Sequence, residues 1–133
     1  MLRRVAFLLM TICSPAHAME MCGLGERVDC IVDGDTFWLA GEKIRAVGYD
    51  TPEPTTNMCG GDVERQLAHQ ASARLLQLFN DSEISIQRQG FDRYGRTLAL
   101  VLADGVDVGS ILIAERLARS WPDGCEFWCG ACQ

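Results

Sequence analysis

The sequence predicts an α+β fold in which a small twisted sheet is combined with two helices. Short runs that favour strands alternate with turn residues, and they occupy residues 28–32, 36–39, 43–47, 83–88 and 98–102. A long segment with helical spacing of its apolar residues follows the third run, and a shorter one follows the fifth. Five strands with one helix inserted after the third suit a five-stranded Greek-key β-barrel of the OB type.

The first three strands form a meander, because turns at 33–35 and 40–42 separate them. Pro52 and Pro54 end this meander, since each proline moves its predecessor out of helical conformations. The fourth strand alternates apolar and polar residues, whereas the fifth is almost continuously apolar, as in a buried strand.

The first helix is predicted from about Asp62 to Phe79, with Asp62 as its N-cap. Its apolar stripe has residues three and four apart, namely Val63, Leu67, Ala71, Leu75 and Leu78. Asp107 is predicted to cap a second helix from about Val108 to Leu117.

The first 18 residues have the features of a secretory signal peptide. Arg3 and Arg4 precede a short apolar run, and small residues precede the expected cleavage after Ala18. The run is far shorter than the ~20 apolar residues that span a bilayer. We therefore expect an exported protein, periplasmic or secreted, with no membrane span and a single domain at 19–133.

Cleavage would leave six cysteines: Cys22, Cys30, Cys59, Cys125, Cys129 and Cys132. An even number in a short exported chain indicates up to three disulfides, and the sequence leaves their pairing open. Zinc binding by the tail cysteines is a weaker alternative. A redox role for the Cys-x-x-Cys motif at 129–132 is weaker still. In redox proteins that motif begins a helix, and here no residues follow it that could form one.

The chain is acidic overall, and its basic residues are almost all arginine. The net charge is −6, and loss of Arg3 and Arg4 makes it −8, since every acidic residue lies after position 18. Nucleic-acid binders usually have a basic surface. Lys43 is the only lysine among the basic residues, so we expect a few arginines to recognise phosphate locally.

Three short phrases in fixed order carry the chemistry: Asp-Gly-Asp-Thr at 33–36, Arg-Ala-Val-Gly-Tyr-Asp-Thr-Pro-Glu at 45–53, and Asp-Arg-Tyr-Gly-Arg at 92–96. Asp35 and Asp50 offer the hard oxygen ligands that a divalent cation prefers. Glu53 adds a third carboxylate, and Arg45 and Arg96 add two planar phosphate binders. This set is suited to hydrolysis of a phosphodiester by metal-activated water.

From about Val28 to Leu117, these phrases resemble the staphylococcal nuclease-like (thermonuclease) family. The resemblance implies an OB-fold domain and a calcium-dependent endonuclease or phosphodiesterase acting on DNA and RNA. It implies one Ca²⁺, held by Asp35, Asp50 and the carbonyl group of Thr51.

In this family, the residue that matches Glu53 activates or orients the attacking water. Arg45 and Arg96 match the two arginines that bind the scissile phosphate. Tyr94 is expected to line the mouth of the site and contact a terminal phosphate or a base, with a purely structural role as the alternative. His69 is the single histidine after residue 18, which excludes chemistry based on a histidine pair.

The chain departs from longer family members after the second helix. It lacks the tyrosines that contact the nucleotide there, so Trp121 or Trp128 is a candidate stacking surface instead. Arg116 stands where many members have a glycine, which implies a small strain cost if the backbone is left-handed.

The alternative function is a non-catalytic OB-fold module of the cell envelope that binds nucleic acid or protein. Degenerate family members usually lose one of the carboxylates or arginines, and this chain retains all five. Nucleic acid is therefore the expected partner, as substrate, and no obligate protein partner is inferred.

Overall fold

The computed structural model describes residues 18–56, 58–130 and 132. The predicted signal peptide, apart from Ala18, lies outside the described residues. In the described part of the chain, no helix combines the length and apolar character that crossing a membrane requires.

The α+β prediction is confirmed. The strands are β1 (Glu20–Met21), β2 (Cys30–Ile31), β3 (Thr36–Leu39), β4 (Glu42–Ala46), β5 (Tyr49–Asp50), β6 (Ile84–Phe91), β7 (Thr97–Ala103), β8 (Val106–Asp107) and β9 (Arg119–Ser120). The helices are α1 (Gly61–Asp81) and α2 (Val108–Ala114), and a 3-10 turn covers Phe127–Cys129.

The strands form a curled mixed sheet rather than the simple five-stranded set. Over the described residues the order is β1-β2-β3-β4-β7-β6, with β8 paired to β7, and β5 pairs separately with β9. The β4–β7 and β1–β2 pairs are parallel and the others antiparallel. The five predicted strands are all present, and a closed five-stranded Greek-key barrel stays a prediction.

The β3–β4 hairpin turns at Ala40 and Gly41, whose φ angles are 49° and 78°. Two consecutive left-handed residues are typical of the tight turn that matches strand twist. This turn sets the register that places Thr36 opposite Arg45, which brings the first two sequence phrases side by side.

The core lies between the sheet and the two helices. One face of β7 is fully buried, as its apolar sequence predicted, and it packs with side chains from β2, β3, β4 and both helices. The largest of these are Ile31, Phe37, Ile44, Leu75, Val101 and Leu112.

The start of α1 corrects two predictions. The N-cap is Gly60 and not Asp62, whose carboxylate lies in the first turn and pairs with Arg65. Val63 is 61% exposed, while Glu64 is buried in its place. The reason is a hydrogen bond: the Glu64 carboxylate accepts the Gly60 amide at 2.8 Å, which rotates the inward face by one residue at this end.

The second helix confirms its predicted cap, because Asp107 accepts a hydrogen bond from the Gly109 amide at 3.0 Å. It ends at Ala114, three residues before the predicted end. Arg116 then has φ +59°, so the condition for the small strain cost at this position is met.

Three disulfides join Cys22 to Cys30, Cys59 to Cys129, and Cys125 to Cys132. They confirm the disulfide prediction and settle the pairing that the sequence left open. Such bonds indicate an oxidising compartment. Because all six sulfurs are paired, none offers the thiolate that zinc binding would need.

Candidate active site

The site begins where the turn before β3 faces β4 and β5. Arg45 on β4 pairs with the Asp35 carboxylate, and its second terminal nitrogen lies 3.5 Å from Oδ1 of Asp50 on β5. Three of the predicted site residues thus meet in one pocket, although Asp35 and Asp50 are separated by two strands.

Asp35 is buried and held from several directions. Its Oδ1 accepts the Thr36 hydroxyl at 3.0 Å, and its Oδ2 accepts the amide and hydroxyl of Thr51 at 3.2 and 3.0 Å. Burial by itself would raise the pKa of Asp35, but the Arg45 charge and hydrogen bonds with Asp33, Arg45 and the Thr51 amide outweigh it and lower the pKa. Asp35 is therefore an ionised, fixed oxygen donor.

Gly34 explains why the turn reads Asp-Gly-Asp. A Cβ at this position would lie 2.7 Å from Cγ2 of Thr51 and 2.8 Å from Cβ of Ala71 on α1. The Gly34 carbonyl also accepts the buried Tyr49 hydroxyl at 2.9 Å. The turn is thereby packed against both the helix and β5, and this contact places Asp35.

Glu53 lies on the exposed rim of the same pocket. Desolvation, followed by the charges of Asp35 and Asp50, raises its pKa above the ordinary value. Its own amide donates to Oε1 of the buried Glu64 at 3.1 Å. Because Glu64 also binds Gly60, the loop that carries Glu53 is anchored to α1 at both ends.

Asp33 is a fourth acidic member that our site assignment did not include. Its Oδ1 accepts the Asp35 amide at 3.2 Å, and burial together with the Asp35 charge raises its pKa to about 7. The signal was present in the sequence, since Asp33 opens the Asp-Gly-Asp phrase.

The third phrase forms the tip of the β6–β7 hairpin. Asp92 accepts the backbone amides of Tyr94 and Arg96 and the Nε of Arg96, the last at 2.6 Å. The Arg96 guanidinium lies 5.3 Å from the ring centre of Tyr94, which is largely exposed. Arg96 is therefore bound by its own turn rather than by the pocket carboxylates.

Arg96 lies next to the strand that pairs with the strand of Arg45. Arg96 immediately precedes β7, and the β4–β7 register sets Arg45 opposite Leu98. Residues two apart along a strand point to the same face. Continued one residue beyond the strand, this alternation assigns Arg96 to the Arg45 side of the sheet, on the neighbouring strand.

The donor set fits a divalent cation. Carboxylate oxygens at Asp35 and Asp50 and the carbonyl group of Thr51 are hard ligands of the kind that calcium prefers. The raised pKa values of Asp33, Asp50 and Glu53 reflect burial and mutual repulsion that the nearby arginines do not balance. A bound cation would relieve this repulsion. A separate cluster of Cys59, Glu126 and Cys129 fits less well, because its two sulfurs form a disulfide.

A family model described as staphylococcal nuclease homologue matches residues 43–123. The chain belongs to the staphylococcal nuclease family. The match includes Arg45, Asp50, Glu53 and Arg96, while Asp35 lies before it. A search of curated proteins found no match.

Beyond α2 the chain folds back toward the site, and this part carries the two candidate stacking tryptophans. Trp128 is only 6% exposed and packs in the interior, so it is not available for stacking. Trp121 is 53% exposed, and its amide donates to the Gly48 carbonyl at 3.1 Å, two residues before Asp50. Of the two candidate stacking residues, Trp121 alone presents a surface beside the pocket.

Arg119 is a site residue that the sequence did not indicate. Its Nε donates to Oδ2 of Asp50 at 3.0 Å, and the two residues are register partners in the β5–β9 pair. The sequence carries no local sign of this contact, because the partners are 69 residues apart.

Proposed function

We propose that the protein is an exported, calcium-dependent nuclease that hydrolyses phosphodiester bonds of DNA and RNA. The observation that carries this proposal is the convergence of Asp35, Asp50 and Arg45 in one pocket with Glu53 on its rim. Membership of the nuclease family and the oxidising compartment indicated by the disulfides support it.

Asp35, Asp50 and the Thr51 carbonyl group would hold the calcium ion. When bound, the cation would polarise a phosphoryl oxygen and make a nearby water more acidic. Asp35 is suited to this role because its hydrogen bonds fix the carboxylate before any ligand arrives.

Glu53 would take the proton of the attacking water as the water oxygen bonds to phosphorus. Its raised pKa makes it a stronger base than an ordinary glutamate. In the family, the 5′ P–O bond breaks and the products carry 3′-phosphates, and we propose the same outcome here.

Arg45 and Arg96 would donate to the non-bridging phosphate oxygens. A guanidinium offers parallel donors that match these oxygens and keeps its charge, and the Arg45 pKa is raised further because the charges of Asp35 and Asp50 outweigh burial. Such contacts accelerate the reaction when they strengthen as charge redistributes in the transition state. Since they all involve phosphate, little base specificity is expected.

The second candidate is a non-catalytic module that binds nucleic acid or protein. The ion pairs Arg45–Asp35 and Arg119–Asp50 favour it, because they satisfy both carboxylates without a cation.

The deciding experiment follows plasmid DNA and single-stranded RNA with the oxidised mature chain, in calcium and in chelator. We expect calcium-dependent loss of both substrates. Glu53→Gln should reduce the rate by about 10²–10⁴-fold because the proton acceptor is lost, and Arg96→Ala should also reduce it strongly. The control is Glu83→Gln, at an exposed carboxylate just before β6, which should behave as the unmodified chain.

Each outcome separates the candidates. Equal activity in calcium and chelator would rule out the metal mechanism. Retained nucleic-acid binding without cleavage would favour the module.

A further inference from the structure

Arg119 differs from the two proposed phosphate-binding arginines in having every nitrogen engaged. Its Nε donates to Oδ2 of Asp50 at 3.0 Å, one terminal nitrogen donates to the Gly124 carbonyl at 3.0 Å, and the other lies 2.7 Å from Oε1 of Glu126. The side chain is 12% exposed. A guanidinium so fully occupied is not free to bind a phosphate.

The surroundings hold this guanidinium in one orientation. Its carbon lies 5.0 Å from the ring centre of Trp121 and 5.9 Å from that of Trp128, distances typical of cation–π contacts. Glu126 and Gly124 lie in the tail, which the Cys59–Cys129 disulfide ties to the loop before α1. The tail therefore fixes the orientation of the Arg119 side chain, and Arg119 in turn binds Asp50 in the pocket.

The consequence falls on Asp50. Because Oδ2 is bound to Arg119, the other oxygen, Oδ1, faces Arg45 at 3.5 Å inside the pocket. Outer partners of this kind orient metal-binding carboxylates, and their loss typically weakens metal binding about 10–100-fold.

We propose that Arg119 is a positioning residue that, anchored by the C-terminal tail through Glu126 and Gly124, turns the Asp50 carboxylate so that Oδ1 faces the pocket. This inference rests on the proposed function of Asp50 as a cation ligand. It adds a role for the tail, a segment that lies outside the family match.

The test measures calcium affinity by titration calorimetry on the oxidised mature chain, its Arg119→Lys and Arg119→Gln variants, and an Arg74→Gln control. Arg74 also forms an ion pair, with Glu115 at 2.9 Å, but outside the pocket. We expect both Arg119 variants to bind calcium about tenfold more weakly and the control to stay within about twofold. A lysine keeps the charge but cannot reach three partners at once.

The direction of the change in calcium affinity shows whether Arg119 acts by orienting Asp50 or only through its positive charge. If Arg119 were only a positive charge near the site, Arg119→Gln would bind calcium more tightly and Arg119→Lys would be unchanged. Either result in a folded variant would overturn the proposal. Glu126→Gln is the milder variant if both Arg119 variants fail to fold, and unchanged calcium affinity there would also overturn it.

Activity gives a second readout. With positioning lost, kcat at saturating calcium should fall more than KM rises, because the cation site and not the nucleic-acid surface is disturbed. If the unmodified chain neither cleaves nor binds calcium, the proposed function fails. The orientation of the Asp50 carboxylate is then compared in crystal structures of the unmodified chain and the Arg119→Gln variant. An unchanged orientation would overturn the proposed role of Arg119.

Discussion

Gly34 shows how one missing side chain positions the site. The turn that carries Asp35 packs so closely on Thr51 and Ala71 that a Cβ would fall within 2.8 Å of both side chains. Any larger residue must push the turn away from α1, and Asp35 moves with it.

We therefore expect Gly34→Ala to destabilise the fold by about 1–3 kcal/mol through overpacking and to weaken calcium binding. Urea unfolding and calorimetry measure the two effects. The matched control is Gly25→Ala, where a Cβ would meet nothing within 4 Å, and it should change stability by less than about 0.5 kcal/mol. Equal free energies of unfolding for the two variants would show that the close packing at Gly34 does not limit the size of the side chain there.

At the scale of elements, the hairpin between β6 and β7 is a self-contained unit that presents Arg96. Asp92 accepts three hydrogen bonds from its own turn. Desolvation tends to raise the pKa of Asp92, but the bonds from Arg96 and Tyr94 outweigh it, so the pKa is lowered.

This shift predicts a pH dependence. Because the folded pKa is depressed, ionised Asp92 stabilises the fold above its unfolded pKa, and that contribution disappears as the pH falls through the folded pKa. Asp92→Asn should thus lower the urea midpoint at neutral pH, and the difference should vanish below both pKa values. The control is Asp123→Asn, at an exposed aspartate, and its urea midpoint at neutral pH should match that of the unmodified chain. If the urea midpoints of Asp92→Asn and the unmodified chain still differ in acid, the ionised carboxylate is not responsible for the difference.

At the scale of the whole molecule, the disulfides differ in what they join. Cys59–Cys129 links residues 70 positions apart and ties the tail to the loop before α1, whereas Cys22–Cys30 closes a separation of 8. The longer closure restricts the unfolded chain more.

Replacing Cys59 and Cys129 by serine should cost about 4 kcal/mol, compared with about 2.5 kcal/mol for the Cys22–Cys30 pair. Denaturant unfolding of the two double variants measures this order. Equal losses of stability would indicate that the Cys59–Cys129 disulfide does not act through the entropy of the unfolded chain. The Cys59–Cys129 variant should also bind calcium more weakly, because Glu126 would no longer be held beside Arg119.

Net charge leads to a second prediction at this scale. The mature chain is expected to carry −8, that is −6 less the two arginines of the signal segment. A basic binder loses affinity steeply between about 50 and 200 mM salt. Here, salt screens repulsion instead, so KM for single-stranded DNA at saturating calcium should stay constant or fall. A steep rise in KM would reveal a basic surface large enough to dominate binding.

Local sequence determined the elements well. The β3 strand and the Asp107 cap follow from turn residues, capping chemistry and spacing, because these preferences act over a few neighbouring residues. The boundaries of α1 were less predictable, since a buried Glu64 replaced Val63 on the inner face.

The site divides in the same way. The sequence predicted the acidic and guanidinium groups of the three phrases as the candidate site residues, because the residue types and their order are specific. The meeting of Asp35 and Asp50 around Arg45, the contact of Arg119 with Asp50 and the disulfide pairing were decided by tertiary structure alone. The Arg119–Asp50 and Cys59–Cys129 contacts join residues 69 and 70 positions apart, and only the packing of helices, sheet and tail brings such distant groups within bonding distance.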